Sequence, residues 1–126
     1  MTHRPRIGYV GIGLMGLPMT RRLLSLGYPV HVFDIAPTQL ALAREAGAEV
    51  AANAAEAARG ADLVLLNLPT PHAVEAAVFG PEGVAEAITP PQLLVDFSTI
   101  KVEQGQAYAR RLREETGCAW VDAPVS

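Results

Sequence analysis

Ile7-Gly8-Tyr9-Val10-Gly11-Ile12-Gly13-Leu14-Met15-Gly16-Leu17-Pro18-Met19 is the stretch whose reading decides the fold. Ile7–Val10 is a short apolar run of strand length that ends in glycines. Met15–Leu26 has helical period: Met19, Leu23 and Leu26 share one side, while Thr20, Arg21 and Ser25 turn elsewhere. Gly27 closes that helix as a C-terminal glycine does. Glycines 11, 13 and 16 therefore lie between a strand and a helix. Gly11 permits a tight turn, Gly13 leaves the backbone open to close approach, and Gly16 lets the helix pack near the strand. The unpaired N–H groups at the helix start, with the positive end of its dipole, make such a turn a seat for phosphate.

The next strand, Pro29–Phe33, has its proline at the first position, where no ladder bond is lost, and runs into Asp34. A GxGxxG turn alone is weak evidence, but Asp34 stands 18 residues past Gly16, where a carboxylate accepts hydrogen bonds from the adenosine ribose of a dinucleotide. The same charge repels a 2′-phosphate, and the next residue is Ile35 rather than an arginine that would pair with one. This favours NAD over NADP as the cofactor.

Downstream, apolar runs and helical segments keep alternating. Helices are expected at Ala36–Ala46, with Gly47 at its end, and from the cap Asn53 through Arg59. Strands are expected at Ala48–Val50 and at Leu63–Leu68, whose lack of alternation suits burial on both faces. A loop with Pro69 and Pro71, a helix from His72 to Phe79, and a break at Gly80-Pro81 follow. Beyond lie a helical turn ending near Ile88, a strand Gln92–Phe97, a helix Lys101–Thr116 and a strand Cys118–Val121. Such alternation implies a Rossmann-type α/β fold: a doubly wound, mainly parallel sheet with helices on both faces. Residues 1–126 read as one dinucleotide-binding domain.

Composition narrows the classes. Half of the 126 residues are hydrophobic, enough for a core, and the net charge is −3. Nine arginines and one lysine are scattered, which argues against a nucleic-acid surface. One cysteine, Cys118, fits a reducing compartment and a buried, inert thiol. No apolar run is long enough to span a membrane, and a cytoplasmic protein is expected. The basic start at His3, Arg4 and Arg6 imitates a secretion signal, but no small-residue cleavage site follows, and four glycines and a proline suit a secretory helix badly. His3, His31, His72 and Cys118 lack metal-ligand spacing, and His31 reads as a packed strand residue.

Four segments in register, IGYVGIGLMGLPM, LNLPTP, VDFSTI and VDAPVS, resemble the β-hydroxyacid dehydrogenase family, which includes 3-hydroxyisobutyrate dehydrogenase, tartronate semialdehyde reductase and, more distantly, 6-phosphogluconate dehydrogenase. The resemblance implies that Gly11, Ile12, Gly13, Leu14, Met15, Gly16 and Asp34 hold the adenosine and pyrophosphate. It places Leu68 and Pro69 along the cofactor, Thr99 in reach of it, and Ser126 on the substrate carboxylate. It implies hydride transfer between NAD and a small β-hydroxyacid, in a homo-oligomer. The family's general acid/base is a lysine on a helix beyond the serine motif, so no catalytic residue is expected within these residues. They read as the cofactor-binding half, ending before a helical substrate and dimerisation domain, and inactive alone. Lys101, the only lysine, reads as a solvated residue at a helix start. Ala73 and Arg22 stand where the family often has asparagine, and Ala73 removes a polar contact to the cofactor. A stand-alone NAD(P)-binding module without catalysis is the alternative.

Overall fold

The computed structural model describes residues 4–123. Six parallel strands form one sheet in the order β3-β2-β1-β4-β5-β6. The first three are β1 (Ile7–Val10), β2 (Val30–Phe33) and β3 (Glu49–Val50); the others are β4 (Leu63–Leu66), β5 (Leu93–Asp96) and β6 (Ala119–Asp122). The crossovers carry α1 (Gly13–Ser25), α2 (Pro37–Ala46), α3 (Ala54–Ala58), α4 (Pro71–Phe79) and α5 (Val102–Thr116), with a 3-10 turn at Val84–Glu86. The α/β alternation, the parallel sheet and the helices on both faces are those the sequence pattern implies.

Strands β1, β2, β4 and β5 contribute to two cores because their side chains alternate between faces. Ile7 and Tyr9 join Ile12, Leu17, Val30, Val32 and Ala43 under α1 and α2. Val10, Val64, Leu66 and Leu94 pack with the alanines of α3, with Val74 and Val78 of α4, and with Leu112 of α5. Gly8 is on this second side, where an added Cβ would stand 2.3 Å from the Ala57 carbonyl oxygen. The alanine-rich α3 can therefore lie directly on β1. Asn53 caps it, accepting the Glu56 N–H at 2.8 Å.

Several element ends move by one or two residues from the sequence reading, each for a local reason. Helix α1 starts at Gly13 rather than Met15, because the second half of the glycine turn already forms its first turn. Strand β4 stops at Leu66 rather than Leu68. Asn67 still donates to the Val10 carbonyl at 3.2 Å, but the Leu68 N–H turns to the Ser98 hydroxyl instead of a strand partner. Strand β3 holds only two residues and makes one edge of the sheet; β6 makes the other. Among the described residues no helix is long and apolar enough to cross a membrane.

Candidate functional site

The order in which strands are added to the sheet reverses at β1, which pairs with β2 on one side and β4 on the other. Chains leaving the carboxyl ends of these strands diverge, and ligands of open α/β sheets bind in the crevice this creates. A cavity of about 540 Å³ opens there. Its walls include Gly11, Gly13 and Leu14 from the glycine turn, Asp34 and Ile35 after β2, and Leu68 with Pro69 after β4.

The glycines differ in what they do. Gly11 has φ +75 and donates its N–H to the Phe33 carbonyl at 2.9 Å, which fastens the turn to β2. A Cβ on Gly11 would stand 2.2 Å from Leu68 Cδ2 and 3.0 Å from the Asn67 carbonyl oxygen, so Leu68 roofs this residue. Gly13 has φ +45, and a Cβ there would meet no atom within 4 Å. The space over Gly13 is therefore open to a ligand. Gly16 is buried and outside the cavity; its Cβ would stand 2.9 Å from that of Ile12 and 3.2 Å from Tyr9 Cε1. Its part is to bring α1 down on the strand.

Helix α1 has no acidic residue in its first turn and no side-chain cap. Among the described residues the N–H groups of Leu14 and Met15 have no acceptor, whereas that of Gly16 turns back to the Ile12 carbonyl. Two free N–H groups at the positive end of a helix dipole are the donors a pyrophosphate requires. The side chains of Leu14, 91% exposed, and Met15 stand clear of the core.

Asp34 sits at the cavity mouth, and its carboxylate accepts the N–H groups of Ile12, Gly13 and Ala36. The Ile12 side chain is fully buried, so only its backbone belongs to the turn. Thr99 is exposed on the loop after β5, outside the cavity lining, and His72 is exposed at the start of α4 and also outside it. Ser126 and His3 lie outside the described residues. Lys101 precedes α5 with an exposed side chain, while its backbone N–H donates to Gln104 Oε1 at 3.2 Å. His31 faces the β3 edge, with Nε2 2.5 Å from Glu49 Oε2. Among the described residues no three His, Cys, Asp or Glu side chains gather where they would hold a metal ion.

Sequence reasoning missed the far wall. Ala54, Ala76, Ala77, Pro81, Glu82 and Gly83 complete the cavity, and Ala73 is part of it. Glu82 has φ +57, a left-handed conformation uncommon outside glycine. It is held there by Asn53 Nδ2, which donates to its carboxylate at 2.8 Å, and by its own N–H donating to Glu86 at 2.8 Å. The Gly80-Pro81 break was the only sequence signal of this corner. Beneath the site, burial pushes the Tyr9 phenol up to about 12, so it is neutral at any ordinary pH. Burial also raises Asp96, and hydrogen bonds from Ser98 offset only part of this.

A central strand ending in a glycine turn, a helix with free N–H groups, and an acid closing the next strand define a dinucleotide-binding domain. A family model described as the NAD binding domain of 6-phosphogluconate dehydrogenase matches residues 6–126. The chain belongs to that family. It is 33% identical over 126 residues to the mitochondrial 3-hydroxyisobutyrate dehydrogenase of Mus musculus, covering 100% of this chain and 37% of that protein. It is 36% identical over 121 residues to an NAD-dependent L-serine dehydrogenase of Pseudomonas aeruginosa, covering 96% and 40%. Among solved structures, a Mycobacterium tuberculosis 3-hydroxyisobutyrate dehydrogenase with L-serine superposes with a TM-score of 0.91 at 35% identity, over 98% of this chain and 41% of that one. The chain thus spans well under half the length of these relatives. The comparisons agree with an NAD cofactor and an oxidoreductase family, as the four sequence segments implied.

Proposed function

We propose that the protein is an NAD-dependent oxidoreductase of the 3-hydroxyisobutyrate dehydrogenase type, passing hydride between NAD and a small β-hydroxyacid, and that residues 1–126 supply its cofactor-binding half. The observation that carries this is the pair of unpaired N–H groups on Leu14 and Met15 beside the open space at Gly13, within one cavity wall of Asp34. Those N–H groups and the α1 dipole bind the pyrophosphate. Asp34 accepts from the adenosine ribose, Leu68 and Pro69 lie along the cofactor, and Thr99 reaches it from the next strand end. Bound NAD supplies the carbon that accepts hydride from the hydroxyl-bearing carbon of the substrate.

Asp34 and the exposed Ile35 support NAD over NADP, because a second negative charge at the ribose would face a carboxylate, and no lysine or arginine lines the cavity among the described residues. Ser126 is assigned to the substrate carboxylate, and the proton of the hydroxyl to a lysine that is not among these residues. Lys101 is not assigned this role: the lysine the resemblance implies lies on a helix beyond the serine motif, whereas Lys101 stands before α5 with an exposed side chain.

Titration of the protein with NADH and NADPH tests the reading, followed by an assay with short 3-hydroxyacids. Micromolar NADH binding with NADPH at least about tenfold weaker, a difference of about 1.4 kcal/mol, is expected. Absence of NADH binding at millimolar concentration overturns the proposal. Residues 1–126 alone should bind NADH without turning it over; hydride transfer by them would refute the assignment of the proton-transfer group.

A further inference from the structure

The loops that leave β4 and β5 are tied together by Ser98 and Asp96, two residues of the VDFSTI segment to which the resemblance assigned no role. Ser98 is 4% exposed and Asp96 is 0% exposed, two of the few buried polar side chains among the described residues. The Ser98 Oγ accepts the Leu68 N–H at 2.7 Å. The Ser98 N–H donates to Asp96 Oδ1 at 2.9 Å. Asp96 Oδ2 has no partner among the described residues. A buried serine hydroxyl has one proton and two lone pairs, and here a lone pair is turned to the Leu68 N–H while the backbone N–H of the same residue is held by Asp96. A carboxylate accepts the Ser98 N–H more strongly than a neutral amide oxygen would, because the bond is charge-assisted.

What this bond controls is set by the residue at its other end. Leu68 is the residue that roofs Gly11, and with Pro69 it forms the β4 wall of the cavity. Thr99, assigned to the cofactor, follows Ser98 directly. We infer that Ser98, oriented by Asp96, is a positioning residue of the cofactor site: it fixes Leu68 and Pro69 over the glycine turn and holds Thr99 at the same strand edge. The inference rests on the proposed NAD-binding function, and the chain of contacts runs Asp96 to Ser98 to Leu68 to Gly11. Loss of the Ser98 hydroxyl leaves the Leu68 N–H without an acceptor and frees the loop to move away from the turn.

Ser98→Ala and Ser98→Thr are compared with the parent protein by NADH titration and by hydrogen exchange at the Leu68 amide, with urea unfolding followed in parallel. Ser98→Ala should weaken NADH about tenfold and speed Leu68 exchange, and Ser98→Thr, which keeps the hydroxyl, should recover both. An NADH affinity within about twofold of the parent in Ser98→Ala, with Leu68 exchange accelerated, overturns the inference, because the bond then serves packing alone. Slow Leu68 exchange in Ser98→Ala overturns it as well. Should Ser98→Ala not fold, Asp96→Asn carries the test: it keeps an oxygen for the Ser98 N–H but loses the charge, and should weaken NADH about threefold. A parent protein that takes up no NADH defeats the proposed function, while the exchange rates at Leu68 still decide whether the bond holds the loop.

Discussion

The carboxylate of Asp34 holds the backbone of Ile12: Oδ2 accepts its N–H at 3.0 Å and that of Gly13 at 3.3 Å, while Oδ1 accepts the Ala36 N–H at 2.9 Å. One side chain thus braces the glycine turn and holds the residue that precedes α2. In the proposed site it also reads the ribose, and the two duties separate by mutation. Asp34→Ala removes the acceptor for three N–H groups and should lower stability by about 2 kcal/mol. It should also narrow the gap between NADH and NADPH, since the repelling charge is gone. Urea unfolding and paired titrations measure both; a stability loss with the cofactor preference intact would leave Asp34 a brace only.

Gly11 and Gly13 respond differently to alanine. At Gly11 the methyl collides with Leu68 and Asn67 and the backbone is left-handed, so Gly11→Ala should destabilise by about 2–3 kcal/mol. At Gly13 the methyl meets nothing, and only the backbone cost of about 1 kcal/mol remains. Gly13→Ala should therefore stay folded and lose NADH, because its methyl occupies the approach to the backbone. Circular dichroism melts with and without NADH separate the two. A folded Gly13→Ala protein that binds NADH normally would contradict the phosphate seat.

Stability should fall as pH rises across the Asp96 titration. Its folded value is raised above the ordinary 3.8, mainly by burial and to a smaller extent by the Asp122 charge. Between the two values the native state keeps a proton that the unfolded chain has released, so the unfolded state binds fewer protons and stability declines with pH. Asp96→Asn lacks this slope. The free-energy difference between parent and variant, taken from urea unfolding between about pH 4 and about pH 7, should shift towards the variant as pH rises. A difference that does not change with pH would show that Asp96 is not perturbed.

Lys101 contributes a backbone cap and an exposed side chain. Lys101→Ala should change stability by less than about 0.5 kcal/mol and leave NADH affinity within about twofold. A larger loss of affinity, measured by titration, would bring this lysine into the site.

The legible part of the molecule is the part whose chemistry is local in the chain. Gly11, Gly13, Gly16 and Asp34 lie within one strand-helix-strand unit, and each needs its residue type for a backbone or charge reason visible from spacing. The short apolar runs gave β1, β4 and β5 because strands covered on both faces leave no polar alternation to confuse them. The wall formed by Ala54, Ala76, Ala77 and Glu82 was invisible, because small apolar residues at helical spacing say nothing about which helix face a cavity meets. Ser98 was hidden for a related reason: in sequence it is one hydroxyl in a loop beside Thr99, and only the packing of β5 against β4 brings it to Leu68. The end of β4 was misplaced by that same bond.

The position of β1 has a consequence for the order in which the molecule comes apart. β1 is paired along both edges, with β2 and with β4, whereas β3 has two residues and one neighbour. Amides of Tyr9 and Val10 cannot exchange through fraying and must await cooperative opening of the sheet, while those of Glu49 and Val50 open first. The proposed phosphate seat therefore hangs from a strand paired along both edges, and Asp34, proposed to read the ribose, follows a strand whose outer neighbour is the first to leave. Partial melting should release the adenosine before it releases the pyrophosphate.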